Sequence, residues 1–177
     1  MEIRKATIAD LDAVAAIYDA LHDAEEAGSI TVGWIRGVYP TRATAEAALS
    51  REDLFVLCEG SAVRAAAVIN RLQVDVYEGA PWRYDAPDEQ VCVLHTLVVH
   101  PAAAGRGLGT AFVAFYEDLA RALNCPELRM DTNARNRAAR ALYARLGYRE
   151  IGVVPTTFNG IPGVDLVLLE KNLEEAL

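Results

Sequence analysis

The sequence predicts an α/β fold, with helices flanking one mixed sheet. Three observations carry this reading. Segments with apolar residues at helical spacing alternate with short strand-like runs, in the order β-α-α-β-β-β-α-β-α-β-β. The stretch "VCVLHTLVV" at 91–99 is almost continuously apolar, as expected of a strand covered on both faces. Three glycines at alternate positions, Gly105, Gly107 and Gly109, then separate that strand from the start of a helix. With 177 residues and no Gly/Ser linker or repeat, the chain is expected to form one domain spanning 1–177.

The elements follow in order. "EIRKAT" reads as a first strand, and Thr7 with Asp10 as a capping pair before a helix carrying Leu11, Val14, Ile17, Tyr18 and Leu21. Gly28 and Gly33 end that helix, and Thr41 is placed to cap a second, "RATAEAALSRE". "LFVLCEG" and "AVRAAAVINRLQ" read as two strands around a turn at 59–61. Residues 74–90 lack periodicity and carry Pro81, Pro87 and several aromatics; a long irregular segment of this kind is often functional. Phe112, Phe115, Tyr116, Leu119 and Leu123 mark the helix after the glycines, which Asn124 and Pro126 stop. "ELRMDT" reads as a strand and "NRAARALYARLGY" as a helix ended by Gly147. "REIGVV" and "VDLVLLEKNL" read as closing strands.

Composition narrows the function. Apolar residues make up 53% and charged residues 24%, as in an ordinary globular protein. A net charge of -8 argues against nucleic acid as a partner and tolerates a cationic one. Cys58, Cys92 and Cys125 are widely spaced and form no C-x-x-C pair, so no disulfide framework and no metal site is expected. The first residues lack an apolar signal core, and no apolar run is long enough to span a bilayer. A cytoplasmic protein without a membrane partner is the expectation.

The glycine junction is the most informative stretch. Glycine admits left-handed backbone and lets a ligand approach closely. The first turn of a helix has N–H groups without internal partners, and its dipole adds partial positive charge. Together they form an anion cradle, and Arg106 adds a full charge to the same loop. A Walker loop is absent, and the G-x-G-x-G spacing does not match the dinucleotide-binding G-x-G-x-x-G.

"VHPAAAGRGLG" followed by "NRAARALYARLGY" resembles the paired motifs of the GNAT (Gcn5-related) N-acetyltransferases, and the resemblance covers nearly the whole chain. The second motif matches at Asn136, Ala139, Leu142, Tyr143, Leu146, Gly147 and Tyr148. One position departs: Ala104 stands where the family usually has Arg or Gln. The resemblance implies a mostly antiparallel central sheet and acetyl-CoA as co-substrate. It implies a pyrophosphate cradle at Ala104, Gly105, Arg106, Gly107, Leu108, Gly109 and Thr110. Leu97, Val98 and Val99 would meet pantetheine through their backbone, and Asn136 would contact the cofactor. Aligned backbone donors near Val98 or Val99 contribute about 3 kcal/mol to such a barrier.

Tyr143 matches the family tyrosine near the CoA sulfur, and a phenol is a chemically apt proton source for a departing thiolate. On spacing alone it also fits an aromatic packed beside Leu142 and Leu146. For the base, His95 and Glu89 are candidates, beside ordered water. His95 has period-two spacing to Val93, Leu97 and Val99 and equally suits a hydrogen-bonded core position. Trp34, Tyr39, Tyr77, Trp82 and Tyr84 fall in the segments that shape the family's acceptor pocket. With nearby acids they suit a cationic amine, and they equally suit a homodimer interface or plain packing. The expected function is transfer of acetyl from acetyl-CoA to the primary amine of a small molecule, in a ternary complex. Acetylation of a protein or peptide N-terminus or lysine, and a silent CoA-binding sensor, are the alternatives.

Overall fold

Alternating side chains sort the strands onto the two faces of one sheet. The computed structural model describes residues 1–175. The strands are β1 (Glu2–Lys5), β2 (Leu54–Glu59), β3 (Ala62–Asn70), β4 (Val91–Val99), β5 (Glu127–Asn133), β6 (Arg149–Phe158) and β7 (Ile161–Asn172). The helices are α1 (Leu11–Glu26), α2 (Arg42–Ser50), α3 (Leu108–Ala122) and α4 (Arg137–Arg145). The sheet order is β1-β2-β3-β4-β5-β7-β6. Its neighbours are antiparallel except β4 and β5, which run parallel because α3 carries the chain back between them.

On one face, Phe55, Leu57, Leu94, Leu128 and Met130 pack against Phe112 and Tyr116 of α3. Phe112 is fully buried, so truncating it to alanine costs about 3–5 kcal/mol. On the other face, α1 and α2 cover β2 and β3 through Val14, Ile17, Ala45 and Ala48. Farther along that face, Tyr77 and its neighbours cover Val91, Val93, Leu166 and Leu168.

Residues 74–90 are a packed strap rather than an open loop. Two single turns of 3-10 helix, Asp75–Tyr77 and Asp88–Gln90, punctuate it. Glu170 accepts from the Arg83 N–H at 3.1 Å, and Arg129 donates to the Tyr84 carbonyl at 3.0 Å. The Arg129 guanidinium also lies 4.2 Å from the Trp82 ring centroid.

Two local expectations change. Thr7 and Asp10 close a turn of 3-10 helix, Ile8–Asp10, ahead of α1 rather than capping α1 itself. Arg4 grips the Asp10 carboxylate in a fork at 2.8 and 2.9 Å, which ties β1 to the helix start and holds that carboxyl well below its usual range. β6 runs on past Val154 to Phe158, because Asn159 and Gly160 both adopt left-handed φ (50° and 78°) and make a tight hairpin into β7. Pro155 is tolerated there because β6 is an edge strand.

Candidate active site

The site begins where two strands part. β4 pairs with β5 only from Val91↔Glu127 to Leu94↔Met130. Beyond that point β4 stays with β3 as far as Val99, and β5 stays with β7 as far as Asn133. The facing edges therefore diverge and leave an opening in the sheet. The change starts at a bulge: on β3 two steps separate Ala66 from Val68, while their partners on β4, Val98 and His95, are three apart. Thr96 absorbs the extra residue with φ of 50°. A β-branched residue in that region is strained by about 1–3 kcal/mol, so its surroundings must hold it. The hydroxyl of Tyr39 is hydrogen-bonded to that of Thr96.

The bulge also reverses which side chains face which way. Val91 and Val93 pack beneath the 74–90 strap, whereas Leu97 and Val99 pack toward α3. The expected alignment of His95 with Leu97 and Val99 is therefore broken. His95 Nε2 lies 3.0 Å from Asn70 Oδ1, and burial lowers its pKa to about 4. It borders the cavity, but as a neutral ring with little affinity for a proton.

A cavity of about 1030 Å³ passes through the opening. Leu97, Val98 and Val99 form one wall, and Asp131, Thr132 and Asn133 the other. Tyr143 and Leu142 enter from α4, Trp34 and Tyr39 from the segment between α1 and α2, and Phe158 and Ile161 from the last hairpin.

At one end lies the α3 junction. Gly105 and Gly107 have φ of 75° and 79°, and a Cβ added to either would meet no protein atom within 4 Å. Gly109 serves differently: its Cβ would come 3.1 Å from Leu142 Cδ2, so here glycine permits close packing of α3 on α4. The N–H groups of Ala103 and Ala104 are used within the preceding turn, by the carbonyls of His100 and Pro101. From Gly105 to Thr110, six successive N–H groups have no protein acceptor among the described residues. Such a run converges on an anion.

Arg106 does not join this cradle. Its guanidinium forks onto Glu59 at 2.7 and 3.1 Å, at the turn between β2 and β3, and it does not border the cavity. Arg135, Arg137 and Arg145 do border it, and none has a carboxylate partner among the described residues. Asn136 also borders it, while its side chain caps α4 by accepting from the Ala139 N–H at 3.1 Å.

Tyr143 is 7% exposed, and burial, then the nearby Asp131 carboxylate, push its phenol well above the ordinary value. It therefore keeps its proton at neutral pH. Trp34 and Tyr39 meet edge-on, with centroids 5.9 Å apart, and both border the cavity. Burial pushes the Tyr39 phenol up to about 12. Tyr77, Trp82 and Tyr84 do not border it. Tyr77 is buried behind the wall, Trp82 donates to the Tyr77 carbonyl at 2.9 Å, and Tyr84 lines a separate depression beside Glu117 and Arg149. Glu89 lies in the turn before β4, away from the opening.

Sequence reasoning missed Asp131. Alternation along β5 puts its carboxylate on the strap side, where Oδ2 accepts from the Tyr77 hydroxyl at 2.8 Å. Burial raises its pKa to about 6 against that hydrogen bond. "ELRMDT" gave its strand; nothing in the sequence placed a buried tyrosine 54 residues away against it. Gly33 was read only as a helix breaker. At φ of 80° it also lays the segment after α1 against Asn133, whose Nδ2 is 2.3 Å from where a Cβ would stand. Glu25 fixes that approach by accepting from the N–H groups of Val32 and Gly33 at 2.6 and 3.2 Å.

The sequence profile of the acetyltransferase (GNAT) family matches residues 14–148. The chain belongs to that family, whose co-substrate is acetyl-CoA. No curated protein matches it at a significant level. Among solved structures, a GNAT-family acetyltransferase from Streptococcus agalactiae superposes with a TM-score of 0.79 at 22% identity, covering 98% of this chain and 96% of that one. A ribosomal-protein-alanine N-acetyltransferase from Brucella melitensis gives 0.71 at 23%, covering 98% and 100%. YncA from Salmonella typhimurium, solved with its cofactor acetyl-CoA, gives 0.67 at 21%, covering 100% and 96%. Among the described residues, no helix is long and apolar enough to cross a membrane.

Proposed function

We propose that this enzyme transfers the acetyl group of acetyl-CoA to the primary amine of a small molecule, by direct attack in a ternary complex formed within a single domain. The observation that carries the reading is one cavity joining the unpartnered amides of the α3 junction to an opening through the sheet. The donor set fits the co-substrate: backbone N–H groups for a diphosphate, and two parting strand edges for an extended pantetheine arm. Arg135, Arg137 and Arg145 suit a further phosphate. Acetyl-CoA supplies an activated acyl group in this arrangement.

The chain's own groups do the rest. The Val99 N–H, turned away from β3 by the alternation that points the His100 N–H at Arg64, offers a donor toward a developing oxyanion. Tyr143 holds a proton for the leaving sulfur; burial that raises its phenol raises a neighbouring thiolate in the same sense. The aromatic and aliphatic walls at Trp34, Tyr39, Phe158 and Ile161 exclude water from the acceptor side. A small acceptor is favoured because the strap at 74–90 is tied down by Glu170 and Arg129, and the segment after α1 is clamped by Glu25. Both narrow the approach that a peptide would need. The free, buried cysteines Cys58, Cys92 and Cys125 accord with a reducing cytoplasm.

The test is acetyl-CoA-dependent thiol release over a panel of small amines and of peptides with free N-termini or lysines. Turnover on small amines with little on peptides is expected. Faster turnover on peptides would overturn the small-acceptor reading, and tight acetyl-CoA binding with no turnover on either would favour a sensor.

A further inference from the structure

We propose that Asp131, oriented by Tyr77, recognises the acceptor's ammonium group and takes its proton, and that the acceptor is a primary amine with one positive charge, an apolar body and no carboxylate. This rests on the acetyl-transfer reading above.

Among the described residues, Asp131 is the single acidic side chain bordering the cavity. Its Oδ2 is occupied by the Tyr77 hydroxyl, so the carboxylate is held in one orientation. Oδ1 has no protein donor among the described residues, and Asp131 borders the cavity. The charged and titratable groups around it come from every packed element: Tyr77 from the strap, Tyr39 from the segment after α1, Tyr143 from α4, His95 from β4 and Arg129 from its own strand. The three phenols stay neutral, and His95 is neutral at pH 7. Arg129 points away, onto Trp82 and Gln73. A cation arriving through the cavity therefore finds one full negative charge in a site of low dielectric.

The same inventory defines the acceptor. A second positive charge would find no second acid. A carboxylate on the acceptor would find no cation beside it, because the arginines bordering the cavity all lie on α4 or the turn before it. The walls there are Trp34, Tyr39, Val74, Phe158 and Ile161, which suit an apolar or aromatic body.

The protons balance as follows. Asp131 takes one proton from the ammonium, which frees the nitrogen lone pair, and later releases that proton to solvent. As the N–C bond forms and the C–S bond breaks, Tyr143 gives its proton to the sulfur. The second nitrogen proton restores the phenol through water. One amide, one thiol and one released proton result. Asp131, ionised above about pH 6, holds a proton better than His95, held near 4.

The experiment compares 2-phenylethylamine, its carboxylated counterpart phenylalanine and 1,4-diaminobutane, for the wild type and for Asp131→Asn and Tyr77→Phe. The fluorinated amine 2,2,2-trifluoroethylamine, already neutral at pH 7, serves as the base-independent acceptor. For the wild type, kcat/KM for phenylethylamine should exceed that for phenylalanine and for the diamine by about 100-fold. Asp131→Asn should lower it by about 100–1,000-fold, with acetyl-CoA affinity unchanged by calorimetry and turnover of the fluorinated amine retained. Tyr77→Phe removes a bond that lowers the Asp131 pKa, so the acidic limb of the kcat/KM profile, near pH 6, should move to higher pH. Unchanged kcat/KM in Asp131→Asn, an unmoved acidic limb in Tyr77→Phe, or a preference for phenylalanine or the diamine would overturn this assignment and leave acetyl transfer standing. No turnover on any amine by the wild type would overturn both.

Discussion

The two ends of the cavity are built from different material. The α3 end is backbone: six amides presented by Gly105–Thr110, with no side chain required to reach the anion. The strap end is side chain: Asp131 set by Tyr77, Tyr39 set against Thr96, and aromatic walls drawn from segments far apart in the chain. The difference teaches what a sequence can declare. A site made of backbone needs particular conformations, and those select glycine at fixed spacing. A site made of side chains needs only that distant segments meet, and that leaves no local pattern.

The sharpest way to break the comparison is Gly107→Val. A β-branched residue at φ of 79° is strained, and its methyls would project over the open side of the junction. Acetyl-CoA affinity should fall at least about 100-fold in a calorimetric titration, with the melting curve still cooperative; undiminished affinity would remove the cradle from the account. Next in size is Tyr143→Phe. It should lower kcat by about 10–100-fold while leaving the acetyl-CoA Kd within about twofold, and equal losses in both would mean that the ring packs rather than donates. Gly33→Ala should disturb only the strap end, because its Cβ would collide with Asn133. We expect the acceptor KM to rise by roughly tenfold, about 1.4 kcal/mol, with cofactor affinity unchanged. The smallest effect belongs to Arg106→Ala. Its guanidinium is spent on Glu59, so acetyl-CoA affinity should change by less than about twofold; a large loss would show that the loop's charge matters after all.

Much of the fold was legible for the same reason that the cradle was. Continuous apolar character marked β4, helical recurrence marked α1 and α3, and Gly147, at φ of 86°, marked the end of α4. The full length of β6 was missed although Asn159–Gly160 advertises a hairpin: the expected strand stopped at Val154, and an edge strand carries on through Pro155 to Phe158. The bulge at Thr96 was illegible, since nothing in "VLHTLVV" distinguishes an extra residue from regular alternation. That single residue reversed the expected facing of His95 relative to Leu97 and Val99. The loop's arginine was misread because charge in a sequence has no direction. Glu59, 47 positions earlier, captures Arg106 only once β2 and β3 have turned.

The central claim is that backbone N–H groups of the α3 junction, not the loop's arginine, grip the co-substrate's diphosphate. Amide proton–nitrogen correlation spectra recorded during an acetyl-CoA titration test it residue by residue. The N–H resonances of Gly105 through Thr110 should move downfield as hydrogen bonds form, while the Arg106 side-chain Nε–H resonance stays in place. Saturable binding that leaves those amides unshifted, or that moves the Arg106 side chain instead, would contradict it.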